Sequence, residues 1–190
     1  MDGTVSGEKM GAYDRGEFYP KVRNWIIQKF GEERYLEFSE TLPREIAERL
    51  EDADQAAWYP VEDSKLLYEK MFAHFGEEHL EDYVHFYVNQ AIKGFLRGLV
   101  SFLKPLDLAK RALSLWKRFH STGRFDTAVH NPTHGTITLY DWAYSPVHCK
   151  IHGLWFRELV SMAGGKDIEV TETHCVHKGD PFCRWEVHFA

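Results

Sequence analysis

The stretch ETHCVHKGDPFC, residues 172–183, sets two of the chain's three cysteines around a Gly-Asp-Pro turn. A hairpin centred on Gly179 puts Cys175 opposite Cys183, and directly opposed strand residues hold their Cβ atoms about 4.5–5.5 Å apart. Both sulfurs then reach one tetrahedral ion. Beyond the turn the pattern alternates, with Cys183, Trp185, Val187 and Phe189 on one face and Arg184, Glu186 and His188 on the other. On the partner strand Ile168, Val170 and Glu172 share the inward face, so strict alternation turns Cys175 outward. One extra residue between Glu172 and Cys175, a β-bulge, brings both inward. Cys149 completes the group from near the start of a helix that follows Ser145-Pro146, where the helix N-terminus stabilises a thiolate.

Cys149, Glu172, Cys175 and Cys183 thus offer three thiolates and a carboxylate. Thiolates suit zinc, and four protein ligands leave no position open for water, so the expected site is structural. Spacing alone leaves alternatives. Cys175 and Cys183 satisfy the distance limits of a disulfide, all three cysteines can serve as small buried apolar residues, and His148, His152, His174 or His177 can stand in for Glu172. Three is an odd count that fits a secreted disulfide framework poorly, so a cytoplasmic location is expected.

Working outward, Phe125–His130 and Thr136–Tyr144 read as strands around the Asn131-Pro-Thr-His-Gly135 turn. Val147–Met162 reads as a helix ended by Gly164-Gly165, and Ile168–Glu172 and Arg184–Phe189 as two more strands. The order is strand, strand, helix, strand, strand. Upstream the chain is helical: Glu17–Phe30, Leu42–Asp52, Glu62–Phe75, Tyr83–Leu103 and Pro105–Phe119, with Ala56–Pro60 extended. Tyr83–Leu103 is apolar around most of its circumference and is expected to be central. The fold class is α/β (α+β), a helical layer on a small antiparallel sheet. Residues 1–16 read as a flexible leader and 17–190 as a single domain, helical over 17–121 and zinc-braced ββαββ over 122–190.

Of 190 residues 44% are hydrophobic, enough for a folded core. A formal charge of −6 argues against nucleic acid or an anionic membrane surface as partner. No apolar run reaches the length of a membrane span. There is no dinucleotide fingerprint, phosphate loop or nucleophile motif, and a closed zinc site lacks the open position of a catalytic one. An enzyme is therefore not expected. Aromatic and polar residues in the second half nominate a ligand site: Phe95, Trp116, Phe119, His120, Tyr140, Trp142 and His148.

The pattern Cys-x22-Glu-x2-Cys-x7-Cys, ending in Cys-x3-Gly-Asp-Pro-x-Cys and a strand, resembles the 4-vinyl-reductase (hydrocarbon-binding) domain family. It is similar to the sensor domain of phenol-responsive activators and to small stand-alone myxobacterial paralogues. The resemblance implies zinc on Cys149, Glu172, Cys175 and Cys183. It also implies a fold related to haem nitric-oxide-binding domains and transport-particle subunits, an apolar cavity between helices and sheet, and a homodimer. The Tyr-x-Ser-x-Arg signature of the haem domains has no counterpart, the nearest stretch being Tyr144-Ser145-Pro146, so haem is not expected. The function so implied is a zinc-containing sensor or carrier for a hydrophobic or aromatic molecule, with a protein output partner. The alternatives are a ligand-free dimeric scaffold and, with less support, a tetrapyrrole-related enzyme.

Overall fold

A computed structural model of the protein describes residues 11–91, 105–142 and 144–190. The helical layer comprises α1 (Phe18–Phe30), α2 (Glu32–Glu40), α3 (Arg44–Asp52), α4 (Val61–Phe75), α5 (Leu80–Ala91) and α6 (Pro105–Phe119). A two-stranded ribbon joins β1 (Tyr13–Arg15) to β2 (Trp58–Pro60). The C-terminal part is β3 (Arg124–Asn131), β4 (His134–Tyr140), α7 (Pro146–Met162), β5 (Glu169–His174) and β6 (Cys183–His188). Its four strands form one antiparallel sheet in the order β3-β4-β6-β5. The expected helical layer, ββαββ order and antiparallel sheet are all present.

Helix α7 holds the two halves together. Ser145 caps it, its hydroxyl oxygen accepting from the backbone N–H of His148, and Pro146 opens its first turn with a fixed φ. Toward its C-terminal end Leu159, with Ala163 just beyond the last turn, joins the helical core around Trp25, Tyr35, Phe38, Met71 and Tyr83. Cys149 and Phe156 join a second core on the sheet with Trp116, Phe125, Leu139, Trp142 and Trp185. At Gly153 the helix runs close to β6: a Cβ there would sit 3.2 Å from the indole nitrogen of Trp185. That contact permits only a minimal side chain.

Two elements escape the sequence pattern. Helix α2 buries only Tyr35 and Phe38, too few positions for a visible period. Strand β1 lies in the stretch read as leader, yet Asp14 is 4% exposed. Its carboxylate accepts from Ser64 Oγ at 2.5 Å and pairs with His120 Nδ1 at 2.7 Å. Both partners are far along the chain, so no local signal marks this segment as ordered; the reading of residues 11–16 as flexible is corrected. Of the expected Tyr83–Leu103 helix, α5 covers the part to Ala91, with Tyr83, Val84 and Val88 buried. Residues 92–104 lie outside the described residues, and Phe95 with them.

Candidate metal centre and adjoining cavity

The β5–β6 pairing shifts register once. Glu169 faces His188, and each following residue faces the next back along β6 until Glu172 faces Trp185; then His174, not Thr173, faces Arg184. One residue is inserted, and the bulge turns Glu172 and Cys175 to the same side. After Cys175 a single 3-10 turn, Val176–Lys178, ends at Gly179 in the left-handed region (φ 96°), where an L side chain is strained. Asp180 Oδ2 accepts from the Cys175 N–H at 2.8 Å, and the Val176 N–H points at Cys183 Sγ at 3.5 Å. The knuckle thus holds its backbone donors toward sulfur and carboxylate.

Cys149, in the first turns of α7, meets this knuckle. Its Sγ is 3.7 Å from that of Cys183 and 3.9 Å from that of Cys175. Four ligands at the zinc–sulfur distance of about 2.3 Å in a tetrahedron stand about 3.8 Å apart. A carboxylate oxygen of Glu172 and the three sulfurs all lie within 4.8 Å of one another. The cysteines are buried and unbonded, and the 3.7 Å separation is far beyond a disulfide bond. Glu172 Oε2 meets Lys178 Nζ at 3.1 Å, whereas Oε1 is buried without a partner. A hydrogen bond to Cys183, burial and the neighbouring sulfurs push the Cys149 thiol up, and burial raises Cys175. Cys183, accepting from Cys149, is lowered to about 7. The four residues nominated as metal ligands are brought together, with one donor atom from each within 4.8 Å of the others.

One residue before Cys149 the character changes. His148 faces away from the sulfurs into a cavity of about 160 Å³ between helices and sheet, whose walls are largely apolar. Trp116, Phe119, His120 and His148 line it, as nominated. Trp142 stands behind this lining, buried against Trp116, His148 and His152. Tyr140 does not join it: alternation along β4 puts Ile137 and Leu139 on the helix side and Tyr140 on the other face, under Arg124 and against Phe182. The sequence reading missed the contribution of β1, α1, α4 and the first part of α5. Phe18, Tyr68, Tyr83 and Tyr87 line the cavity, with Asp14 and Ser64. The aromatics lay on visible helix faces but were not assigned to a ligand wall; Asp14 and Ser64 carry no sequence signal.

The cavity's polar groups are held neutral or paired. Burial lowers His148 to about 3 and His152 well below its ordinary value. Burial likewise pushes the Tyr68, Tyr83 and Tyr87 phenols upward. Burial alone would raise Asp14, but hydrogen bonds and charge from His120 and the Ser64 hydroxyl bring it below the ordinary carboxylate value. His152 Nδ1 donates to the His148 carbonyl at 2.6 Å, and His148 Nδ1 meets Ser145 Oγ at 2.9 Å. His148 Nε2 is buried and has no partner. The arrangement can hold an uncharged molecule and offer it one imidazole nitrogen.

No protein-family model matches the chain, and no curated protein does. Solved structures do. An H-NOX protein from S. oneidensis in its Fe(II)NO ligation state superposes with a TM-score of 0.70 at 12% identity, covering 93% of this chain and 99% of that one. The Fe(II) unliganded H-NOX protein from K. algicida gives 0.70 at 12% identity, over 93% and 96%. An H-NOX domain from Shewanella oneidensis in its Fe(II)CO ligation state gives 0.67 at 12% identity, over 93% and 98%. The relation to haem nitric-oxide-binding folds expected from the sequence is there in the backbone: this chain has the H-NOX fold.

Proposed function

We propose that this chain is a non-catalytic binding module, a sensor or carrier, for a small uncharged hydrophobic molecule of about one aromatic ring. The observation that carries this reading is the cavity of about 160 Å³ with a buried, neutral, unpartnered imidazole nitrogen, His148 Nε2, at its wall. An apolar cavity of about 150 Å³ is enough to hold benzene. The occupant would pack on Trp116, Phe119 and Tyr87 and complete the hydrogen bonding of His148.

Zinc on Cys149, Glu172, Cys175 and Cys183 would brace this wall as a closed structural centre. The sulfur separations and the orphaned Glu172 oxygen support it. The same ligand pattern supports membership of the 4-vinyl-reductase family. Three adjacent free thiols favour a reducing compartment such as the cytoplasm, and among the described residues no helix is long and apolar enough to cross a membrane. A module of this kind acts through a second protein, and we place a homodimer and an output partner beside it.

Haem, whose redox potential is modulated through porphyrin distortion in one neighbouring structure, does not fit the residues here. The cavity has the volume of a single ring rather than a porphyrin. Its carboxylates Asp14 and Glu17 are the wrong sign for propionates. Arg15 is turned onto the Trp58 ring, with its guanidinium group bonded to the Ala56 and Arg118 carbonyls.

Native mass spectrometry with metal analysis of freshly purified protein tests both parts. One zinc per chain and an added small-molecule mass is the expected result. Zinc without any adduct, followed by no saturable binding of one-ring aromatics, would overturn the ligand reading. A chain lacking metal and two mass units light would overturn the zinc centre in favour of a disulfide.

A further inference from the structure

The outer face of the sheet carries a second cluster, independent of the cysteine centre. Alternation sends Cys183, Trp185 and Val187 of β6 toward α7 and Arg184, Glu186 and His188 outward. On β4 His134 faces His188 and Thr136 faces Glu186, so His134 and Glu186 are diagonal neighbours on one face. The β3–β4 turn is set by Asn131, whose Oδ1 accepts from the Thr133 N–H at 3.0 Å. Just before it the register shifts between Val129 and Asn131, leaving His130 as the inserted residue. His130 keeps the parity of Arg124 and Asp126, which puts it on the same outer face; there its Nε2 meets Thr136 Oγ1 at 3.3 Å and its ring lies 4.7 Å from that of His134.

We propose that His130, His134 and Glu186 form a solvent-open site for a divalent transition-metal ion. One donor atom from each lies within 4.8 Å of the others. His134 Nε2 already meets Glu186 Oε2 at 2.6 Å. Ligands at about 2.0–2.1 Å from a tetrahedral ion stand about 3.3 Å apart, so the pair opens by less than an ångström as the ion replaces the shared proton. The His134 ring is pinned on its other side by His188, stacked at 4.0 Å and 10°. His134 and Glu186 side chains are 26% and 30% exposed and His130 is exposed, so the ion enters from solvent. Two imidazoles and one carboxylate select zinc, nickel or iron(II) over magnesium or calcium and leave coordination positions for water or an outside ligand. The site is exchangeable where the cysteine centre is closed.

The test is nickel titration of the full-length chain by calorimetry, with zinc content measured before and after. His134→Ala, Glu186→Gln and His130→Ala are each expected to bind one nickel fewer than the parent, or to bind it more than about tenfold more weakly. His188→Ala, which removes the stacked ring but no assigned donor, should keep the full count. Circular dichroism should show all four variants folded, as befits positions on a solvated face. The count is a difference, so it reads the site whether or not the cysteines hold zinc. Parent protein without a saturable nickel site would overturn the proposal. So would His134→Ala binding like the parent, or His188→Ala losing as much as His130→Ala, which would mean a loose imidazole patch.

Discussion

The size of the cavity fixes how strongly a ligand should act. Unfilled core volume costs about 24 cal/mol per Å³ in large-to-small core substitutions, so 160 Å³ corresponds to about 4 kcal/mol between an empty and a well-filled cavity. A one-ring ligand at a hundred times its Kd stabilises the fold by about 2.7 kcal/mol through mass action. In a chain of this length each kcal/mol moves Tm by about 2–4 °C, giving a rise of about 5–11 °C. Polarity should then discriminate among ligands. Leaving a buried nitrogen without a partner costs about 1–3 kcal/mol, so phenol, which hydrogen-bonds to His148 Nε2, should bind more tightly than toluene by about five- to 150-fold. His148→Leu removes the nitrogen and should abolish that preference while toluene still binds. Thermal melts and calorimetric titration with the two compounds measure both effects. Phenol and toluene binding equally well to the parent, or a preference that survives His148→Leu, would refute the assignment of His148; absence of any shift would refute the cavity as a ligand site.

The other predictions follow from the same contacts. Cys183→Ser should release the metal and lower Tm by more than Glu172→Gln does, since zinc holds thiolate more firmly than a carboxylate that also serves Lys178; zinc retained one-to-one with unchanged Tm would reject the centre. Because Cys149 adjoins His148 in the capped first turns of α7, a chelator that strips the metal should also weaken phenol binding, read by titration before and after. Asp14→Asn should cost about 1–3 kcal/mol by weakening the bonds to His120 and Ser64, seen in urea melts. On pH, His148 is lowered to about 3 when folded and protonates near 6.5 when unfolded. Its contribution is therefore whole above 6.5 and lost as pH falls toward 3, and His148→Leu should flatten that part of the stability profile. Asp14, lowered in the fold, adds stability present above 3.8 and lost as pH falls through its folded value.

Local pattern carried most of the fold. The Glu17–Phe30, Glu62–Phe75 and Pro105–Phe119 helices and all four sheet strands lie within a residue or a few of their sequence-based bounds, because their apolar residues recur in sequence at the period of a helix or a strand between Gly, Pro or capping residues. What pattern could not convey was order imposed from a distance. Strand β1 is fixed by Ser64 and His120, 50 and 106 residues from Asp14, and the polar sequence around it looks the same whether held or free. Helix α2 has a short buried face of two residues, which composition does not separate from a loop.

The cysteine centre was legible down to the bulge for a geometric reason. The period of a strand is two, so Val170, Glu172 and Cys175 cannot all face inward without one inserted residue, and the register shift at Glu172/His174 supplies it. The tryptophans at the cavity gave no such parity argument. Trp142 and Trp116 are both buried aromatics in one core, and only three-dimensional packing makes one of them a wall and the other its backing. Tyr140 fell on the wrong face because its place depends on which side of β4 carries the helix, a choice set by Leu139, fully buried at the centre of that core. Applied to β4 as it was to β5, the period of two groups Tyr140 with Thr138 and Thr136, away from Ile137 and Leu139. The signal that would have placed Tyr140 was thus present in the sequence, and it was strand parity rather than aromatic content.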